Sequence, residues 1–241
     1  MINKFNKMEI HIINSLKEDD YKKDITTKLI PKDTKAKAII KAKESFYIYG
    51  IEWMKKVFKI VDKNLIIKKI VNDGDYIKKN QILASIEGNN HNILIAERTA
   101  LNYLQSMSGV YDKCKKYQGK ISRKKIKILH TRKTLPSTRL PYREACIAAG
   151  CMPHRKSLSD SILLKENHLK FIDDFQDVIK KAQKTQKKII VEANTSNFAK
   201  KIIKFKIDRI LLDNFTPKNI KEIMRYMKNC KVEISGSINL L

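Results

Sequence analysis

The feature that most restricts the possible folds is a regular alternation of apolar and amphipathic segments in the second half of the chain. Short runs rich in Ile, Leu and Val, typical of strands, are separated by stretches whose apolar residues recur at helical spacing. The strand-like segments are 125–132, 161–168, 187–194, 209–215 and 231–237. Strands that alternate with helices form parallel sheets, so this half is predicted to be an α/β sheet or barrel.

The first ninety residues follow a different pattern, in which short strands are mixed with two helices. Apolar residues at helical spacing predict helices over 8–18 and 51–61. Residues 35–50 and 80–88 have strand character, and 64–77 predicts two strands about an Asn-Asp-Gly turn. This part is therefore predicted to be a small α+β unit of hairpins and two helices.

A long amphipathic helix over 96–117 separates the two patterns. Its apolar residues recur at three- and four-residue steps, as they do on one face of a helix. We place the domain boundary near the start of this helix. The prediction is an N-terminal domain of residues 1–97 and a barrel domain of residues 98–241.

The chain carries a large positive charge that is mostly lysine. Its 241 residues are 42% hydrophobic and 32% charged, as in a globular protein, and the formal net charge is +26. Such a charge raises nucleic acid or an acidic membrane as partners. However, 43 of the 51 basic residues are scattered lysines, and no nucleic-acid-binding module is recognisable. We therefore expect neither partner and attribute the charge to a compositional bias towards Lys, Ile and Asn.

The arginines, in contrast to the lysines, are clustered. Six of the eight lie between residues 98 and 155, namely Arg98, Arg123, Arg132, Arg139, Arg143 and Arg155. The planar guanidinium fork fits carboxylate and phosphate groups in a way that the lysine ammonium does not. In a chain that otherwise uses lysine, the clustered arginines indicate sites where this fork is required.

The cysteines show no pattern of a metal or disulfide site. Cys114, Cys146, Cys151 and Cys230 form no CxxC pair and have no metal spacing with histidine. We interpret them as scattered reduced cysteines of a cytosolic protein. The N-terminus has no signal-peptide pattern, and no segment approaches the ~20 apolar residues of a membrane span. The expected location is the cytoplasm.

Polar residues follow the strand-like segments, at the end where an α/β barrel holds its active site. They are His130-Thr131-Arg132-Lys133, Lys165-Glu166-Asn167-His168, Glu192-Ala193-Asn194, Asp213-Asn214 and Ser235-Gly236-Ser237. Five such groups in succession, with matching chemistry, indicate a site rather than chance.

This set of residues suits a substrate with several negative charges. The cations that would hold carboxylates and phosphates are Arg132, Lys133, Arg139, His154, Arg155 and Lys165. Glu192 and Asp213 suit Mg²⁺, ribose hydroxyls or a developing positive charge. Residues 235–237 offer backbone N–H groups and hydroxyls to a phosphate, and Pro136 is expected to turn the chain so that Arg139 approaches the same anion.

Several of these motifs together resemble one known family. "ERTALNYLQSMSGV", "TRKTLP..R", "HR..LSDSILLKENH", "LLDNF" and "ISGS", in this order and spacing, are similar to the motifs of the quinolinate phosphoribosyltransferases. The resemblance covers nearly the whole chain. It implies an α/β fold, with an N-terminal open-faced α/β sandwich followed by an incomplete α/β barrel of parallel strands, and a homodimer.

The resemblance also implies a reaction and a cofactor. The family joins quinolinate to phosphoribosyl pyrophosphate with Mg²⁺, releases pyrophosphate and CO₂, and leaves nicotinate mononucleotide for NAD biosynthesis. The physics agrees, because cations and Mg²⁺ stabilise a leaving pyrophosphate and carboxylates stabilise a positively charged ribose ring.

Roles for single residues follow from the same resemblance. Arg98 would reach into the partner subunit's site and hold a quinolinate carboxylate, and Lys133 would lie near the reacting groups. The residues that would hold quinolinate are Arg132, His154, Arg155 and Lys165. Glu192 and Asp213 would hold ribose hydroxyls and the metal, with Ser235 and Gly236 at the phosphate end.

The chain departs from the family pattern at several places. His130 stands where the family usually has Asp, residues 151–153 replace flexible or polar positions, and Asn194 replaces an acidic residue. The family pattern also continues beyond the point where this sequence stops, at Leu241. Two alternatives were therefore considered. One is a shortened, inactive remnant that acts as a binding or regulatory subunit, and the other is a pyrophosphorylase-like paralogue of the type associated with molybdate transport.

Overall fold

The computed structural model describes residues 4–32, 34–121, 125–227 and 230–239, with the side chains of residues 4–6 left undescribed. Arg123, one of the clustered arginines, lies outside these ranges. The chain divides into two compact units, Met1–His154 and Arg155–Leu241. The predicted boundary between residues 97 and 98 instead falls within a continuous helix, and the division into two domains there stays a prediction.

The first unit contains seven strands and four α-helices among its described residues. The strands are β1 Lys35–Lys41, β2 Phe46–Tyr47, β3 Ile66–Lys69, β4 Tyr76–Ile77, β5 Ile82–Asn89, β6 Leu129–His130 and β7 Met152–Pro153. The helices are α1 Lys4–Glu18, α2 Ile51–Val61, α3 Asn90–Ile121 and α4 Arg139–Ala148, with 3₁₀ turns at Tyr21–Lys23 and Thr27–Leu29.

An antiparallel sheet covered on one side forms the centre of the first unit. Its strand order is β1-β5-β3, and residues along β1 are alternately exposed and half-buried. Helix α3 packs against α2, β1 and β5, and Met54, Phe58 and Met107 are fully or almost fully buried in the shared core. Because the other face of the sheet is open, the predicted open-faced sandwich is confirmed.

The predicted Asn-Asp-Gly turn has a different role from the one expected. Strands β3 and β4 do flank it, but β3 pairs with β5 and β4 pairs with β2, so the two do not form a hairpin. The Asp73 carboxylate instead accepts from the backbone N–H groups of Gly50 and Ile51, at 2.8 and 2.9 Å. It satisfies free N–H groups at the start of α2. The prediction of a turn at Asn-Asp-Gly is confirmed, and the prediction that the two flanking strands pair with each other is wrong.

The second unit is a parallel sheet with helices on one face. The strands β8 Ser161–Leu164, β9 Lys188–Ala193, β10 Arg209–Asp213 and β11 Lys231–Ser235 lie in the order β11-β10-β9-β8. The helices are α5 Glu166–Leu169, α6 Phe175–Lys184, α7 Ser196–Ile202 and α8 Pro217–Met224. Thr216 caps α8, since its hydroxyl accepts from the backbone N–H of Asn219. The α/β class with parallel strands is confirmed.

The two faces of this parallel sheet differ in what covers them. Side chains of alternate residues, including Val191, Ile210 and Leu212, enter a core that contains residues of α6, α7 and α8. The intervening residues of the same strands point to the other face, where Leu163, Ile190 and Leu211 form a small separate cluster. The helix-free face is the one that carries the polar strand ends. Within the described ranges, none of the helices is both long and apolar enough to cross a lipid bilayer.

Candidate active site

The polar residues at the strand ends of the second unit form a continuous row. In the sheet register Leu164 lies beside Val191 and Leu211 beside Glu192, which brings Lys165 and Glu192 to neighbouring strand ends. Asp213 pairs directly with Ser235. Residues two apart on a strand share a face, so this row continues the apolar cluster of Leu163, Ile190 and Leu211 toward the carboxyl ends of the strands. These are the positions that the sequence predicted.

Lys165 and Glu192 form an ion pair. The Lys165 Nζ lies 3.7 Å from the Glu192 Oε2, and the Glu192 side chain is only 18% exposed. The backbone N–H of Lys165 donates to the His168 Nδ1 at 3.0 Å, which fixes the first turn of α5. His168 therefore shapes the loop, and the Lys165 ammonium orients the Glu192 carboxylate.

Asp213 is held by hydrogen bonds to both of its carboxylate oxygens. The Ser235 hydroxyl donates to Oδ1, and the Asn214 amide donates to Oδ2 at 3.2 Å. The backbone N–H of Asn214 also donates to the Ser235 carbonyl, at 2.9 Å. The carboxylate is thus positioned before any ligand binds, which is the condition for effective electrostatic catalysis.

Gly236 follows Ser235 in a conformation that only glycine adopts easily. Its φ is +84°, and a Cβ there would lie 2.0 Å from the Asn214 Oδ1 and 2.9 Å from the Asn214 backbone nitrogen. The close approach of two strand ends therefore requires glycine. This geometry explains the Ser-Gly-Ser sequence independently of any bound phosphate.

In the first unit, the predicted basic loop begins at a short parallel pair of strands. His130 ends β6, and the backbone N–H of His154 donates to its carbonyl at 3.0 Å. The Pro136-Ser137 turn is closed by a hydrogen bond from the Thr138 N–H to the Leu135 carbonyl, at 3.3 Å. The predicted turn at Pro136 is present, and α4 begins directly after it at the exposed Arg139.

Three buried polar atoms in this loop have no hydrogen-bond partner among the described residues. They are the His130 Nε2, the Arg132 Nε and the Thr134 Oγ1. A buried polar group without a partner costs about 1–3 kcal/mol, and most such groups in proteins are satisfied. All three lie within five residues, so this loop concentrates polar groups that the described residues leave unsatisfied. Lys133, by contrast, is exposed.

The charges around His130 oppose its protonation. Burial lowers the pKa of His130 below its ordinary value, a backbone hydrogen bond at Thr131 opposes this in part, and the nearby Arg143 and His154 lower it further. Arg143 and His154 therefore each lie near His130. The neutral imidazole is favoured, and His130 is not one more cation of the site.

Helix α4 is tied to the N-terminal helices by polar contacts that the sequence did not reveal. The Trp53 indole donates to the Glu144 Oε2 at 3.0 Å, while Trp53 itself is 2% exposed, as a core residue. Near it, the Tyr103 hydroxyl is within 2.9 Å of the His11 Nδ1 and 2.7 Å of the Ser15 hydroxyl. The bond from Trp53 to Glu144 ties α4, which carries Arg139 and Arg143, to α2, whereas Tyr103 ties α3 to α1.

The remaining predicted residues lie at the surface or at the division between the units. Arg98 is an exposed residue of α3, and its guanidinium makes no hydrogen bond or ion pair with the described residues. Arg155 opens the second unit and is half-buried, and the loop after it is closed by a 2.9 Å bond from the Lys156 N–H to Asp160. Asp160 thus supports the loop. The functional roles of all these residues stay predictions.

One polar pair on the same sheet face was missed in the sequence. Arg209 lies 2.9 Å from the Glu233 Oε2, and both side chains are largely buried, at 21% and 11% exposed. The signal was present, because Arg209 precedes Leu211 and Asp213 by steps of two, and Glu233 precedes Ser235 in the same way. The pair occupies the same sheet face as Asp213 and Ser235, nearer the amino ends of the strands.

Two carboxylates are available for the expected Mg²⁺. Within the described residues, no group of three or more His, Cys, Asp or Glu side chains is arranged as a metal site. Mg²⁺ is commonly bound by one or two carboxylates together with substrate phosphates and water. Glu192 and Asp213, on adjacent strands and the same face, fit that pattern. They do not form a protein site that would hold the metal without a substrate.

The fold and the strand-end residues define a class of protein before any comparison is made. A parallel sheet whose strands end in lysine, two carboxylates and a tight Ser-Gly turn is typical of α/β enzymes that bind phosphorylated ligands. Comparisons with known proteins specify the family. Residues 24–108 match the model of the quinolinate phosphoribosyl transferase N-terminal domain, and residues 111–241 match that of the C-terminal domain. The chain belongs to this family of transferases.

Individual relatives agree with this assignment. A probable nicotinate-nucleotide pyrophosphorylase (carboxylating) of Methanocaldococcus jannaschii is 32% identical, over 89% of this chain and 79% of its own length. A mitochondrial quinolinate phosphoribosyltransferase (decarboxylating) of Nicotiana tabacum is 34% identical, over 79% of this chain and 58% of its own length. The chain thus spans less than two thirds of the tobacco protein.

A solved structure extends the likeness to the fold. The nicotinate-nucleotide pyrophosphorylase of Ehrlichia chaffeensis superposes with a TM-score of 0.90 at 29% identity, over 99% of this chain and 88% of its own. The sequence-based recognition of the family and the transferase class are confirmed. The inactive remnant and the molybdate-associated paralogue are not favoured by these findings.

Proposed function

We propose that this chain catalyses phosphoribosyl transfer from phosphoribosyl pyrophosphate to quinolinate, with decarboxylation to nicotinate mononucleotide. Family membership and the names of the relatives support this reaction. The structural observation that supports it best is the row of Lys165, Glu192, Asp213 and Ser235 on the helix-free face of a parallel sheet. That row has the charges that a phosphorylated sugar requires.

The carboxylates of the row are assigned to the ribose. When pyrophosphate leaves, the ribose ring becomes positively charged, and a carboxylate near the ring stabilises that charge. Asp213 is held by Ser235 and Asn214, so little reorganisation is needed when the charge develops. Glu192, held by Lys165, is assigned to the ribose hydroxyls. Ser235 and Gly236 are assigned to the phosphate end of the substrate.

The basic loop is assigned to quinolinate, a substrate with two carboxylates. Arg132 offers a buried Nε that the protein does not satisfy, and the fork of a guanidinium matches a carboxylate. Arg139, His154, Arg155 and Lys165 are assigned to the same ligand, with Lys133 near the reacting groups. Burial of the carboxylates against this loop would place them in a less polar medium. That environment favours loss of CO₂ once the pyridine nitrogen is positively charged.

Mg²⁺ is proposed as the cofactor. Glu192 and Asp213 would hold it together with the phosphates of the substrate, and the bound ion would stabilise the negative charge of the leaving pyrophosphate. The Lys165 ammonium competes for Glu192, because it lies 3.7 Å from that carboxylate. Ser235 and Asn214 likewise donate to Asp213, so each carboxylate would bind the ion beside a contact that it already makes.

The reaction is tested with purified protein, quinolinate, phosphoribosyl pyrophosphate and Mg²⁺. We expect nicotinate mononucleotide and CO₂ in equal amounts, measured by chromatography and by release of labelled carbon from quinolinate. Replacing quinolinate with nicotinate is the control, and no CO₂ can form from it by this route. A folded protein that gives neither product would refute the proposed reaction.

We also propose a homodimer in which Arg98 contributes to the partner's site. The exposed position of Arg98 on α3 and its guanidinium free of described partners support this, because an ordered arginine in a site needs an anion. In a symmetric dimer each site would take its Arg98 from the other subunit. The proposed location is the cytoplasm, which suits the free cysteines.

Mixed dimers test the Arg98 proposal. Arg98→Ala and Lys165→Ala proteins are expected to be almost inactive by themselves. If Arg98 acts across the interface, each mixed dimer regains one intact site, and co-expression restores about a quarter of the wild-type activity. If Arg98 acts within its own subunit, no activity returns. Light scattering establishes beforehand whether the protein is a dimer.

A further inference from the structure

Three of the four cysteines, predicted to be scattered, meet in the first unit. Cys114 lies on α3, Cys146 lies on α4, and Cys151 lies just before β7. The Cys114 Sγ is 3.7 Å from the Cys146 Sγ. The Gln118 amide nitrogen is 4.0 Å from the Cys151 Sγ. The sequence shows none of this, because 32 residues separate Cys114 from Cys146.

The three thiols form a directed series of hydrogen bonds. Cys114 donates to the Cys146 sulfur, and this bond raises the pKa of Cys114 to about 12. The same bond lowers the pKa of Cys146, while a hydrogen bond to Cys114 raises that of Cys151. Cys146 is therefore the thiol whose thiolate is stabilised, and a thiolate is the reactive form of cysteine.

The surroundings allow reaction at Cys146. Cys114 and Cys146 are half-buried, whereas Cys151 is only 4% exposed. A disulfide needs sulfurs about 2.05 Å apart on backbones close enough to be joined. Helices α3 and α4 pack directly against each other, and the two sulfurs, now 3.7 Å apart, must move closer for the bond to form. Within the described residues, no group of three or more His, Cys, Asp or Glu side chains is arranged to hold a metal.

We propose that Cys114 and Cys146 form a modification site at which a peroxide produces a reversible disulfide between α3 and α4. The Cys146 thiolate attacks a peroxide oxygen, and the O–O bond breaks. A Cys146 sulfenic acid forms, and the departing hydroxide takes a proton to become water. The Cys114 sulfur then attacks the Cys146 sulfur, and the S–O bond breaks. A second water leaves with the Cys114 proton, so two thiols lose two electrons and the peroxide gains them.

The site adjoins the elements that carry the basic loop. Cys146 follows Arg143 by three residues on α4, and Cys151 precedes His154 by three. A link at Cys146 would hold the C-terminal part of α4 against α3. The inference does not rest on the proposed function, because it concerns only the thiols and the helices that hold them.

The test uses the full-length reduced protein and limited hydrogen peroxide. After oxidation the free thiols are alkylated, and the protein is digested without reductant and analysed by mass spectrometry. We expect one major linked peptide pair that joins Cys114 to Cys146 and disappears after treatment with dithiothreitol. Alkylation of both residues after oxidation, or a major link from Cys146 to Cys151, would overturn the proposal.

Matched variants separate the specific link from general oxidation. Cys230→Ser changes a half-buried cysteine of the other unit, and it should form the link at the wild-type rate. Cys114→Ser should leave Cys146 as a sulfenic acid, detected with a dimedone probe, and Cys146→Ser should form neither product. If Cys146→Ser misfolds, the Cys114→Ser result still decides, since no dimedone adduct at Cys146 would contradict the proposed order of steps. Oxidised wild-type protein should also unfold at a higher temperature than reduced protein, because the link closes a long loop.

Discussion

The basic loop of the first unit and the strand-end row of the second unit are both rich in polar and charged side chains, but they differ in whether these side chains have partners in the protein. In the row, Lys165 pairs with Glu192, and Asp213 accepts from Ser235 and Asn214. In the loop, one side-chain atom each of His130, Arg132 and Thr134 is buried without a partner among the described residues. Within the described part of the chain, the protein satisfies the side chains of the row but leaves these three atoms of the loop unsatisfied.

The difference indicates what each region contributes. Groups held by the protein are positioned in advance, which is what a developing charge on a ligand requires. Buried donors left without partners destabilise the free protein and gain most when a ligand binds. The row should therefore govern the rate of reaction, and the loop should govern the binding of an anion. Substitutions in the two regions should differ accordingly in activity and in stability.

Replacing Arg132 should have the largest effect on activity. Arg132→Met removes the fork assigned to a quinolinate carboxylate, so kcat/KM for quinolinate should fall by about 10²–10³-fold. Stability should fall little or not at all, because no described hydrogen bond of the guanidinium is lost. Steady-state kinetics and urea unfolding measure the two quantities.

An exposed arginine of the second unit provides the control for this substitution. Arg225→Met, after the end of α8, should change neither kinetics nor stability appreciably. The proposed difference between loop and row would be contradicted if Arg132→Met unfolded at a much lower urea concentration than the wild type but still bound quinolinate normally. That result would make Arg132 a structural residue.

Replacing Gly236 should have the largest effect on stability. A Cβ at this position would lie 2.9 Å from the Asn214 backbone nitrogen, with φ at +84°. Gly236→Ala should therefore lower the free energy of unfolding by about 2 kcal/mol or more. Gly109→Ala on α3, where nothing lies within 4 Å of a built Cβ, should instead raise it by about 0.5–1 kcal/mol. Equal stability of the two variants would contradict the tight turn.

A double-mutant cycle measures how far the row is satisfied internally. Lys165→Met and Glu192→Gln should each lower stability slightly, and their coupling should be about 0.5–1 kcal/mol, because Lys165 remains 39% exposed. In both variants kcat/KM should fall by a larger factor than the coupling free energy corresponds to. A coupling near zero would show that Lys165 does not position Glu192. The row would then, like the loop, contain side chains that the protein does not hold in place.

Much of the fold followed from the sequence, because the pattern of apolar residues reports which face is buried. The helix predicted over 51–61 is present as Ile51–Val61, and all four strands of the parallel sheet were predicted. Periodicity does not report pairing, so the hairpin expected at 64–77 was wrong. The partner of a strand depends on contacts distant in sequence.

The candidate site was predictable to the same extent. Polar residues after each strand predicted the row, since parallel strands end at one edge. Two contacts could not be predicted, namely the bond from the Trp53 indole to Glu144 and the approach of Cys114 to Cys146. Both join residues far apart in the chain, and single amino acids in the sequence do not indicate such pairs. The neutral form favoured for His130 was also hidden, because it depends on burial and on neighbouring charges.

The pH dependence of stability should show the smallest effect, and it tests the loop directly. The pKa of His130 is lowered from its ordinary 6.5, so the unfolded chain binds its proton more readily than the folded protein does. Its contribution to stability is therefore fully present above about pH 6.5 and is lost as the pH falls through the lowered folded value.

His130→Asn should weaken this dependence of stability on pH. Urea unfolding between about pH 7.5 and about pH 5 measures the change, because this range spans the titration of a histidine. Some dependence should remain, since burial also lowers the pKa of His11. If His130→Asn left the pH profile unchanged, the folded protein would not disfavour the charged form of His130. The loop would then accommodate a charge as well as the row does.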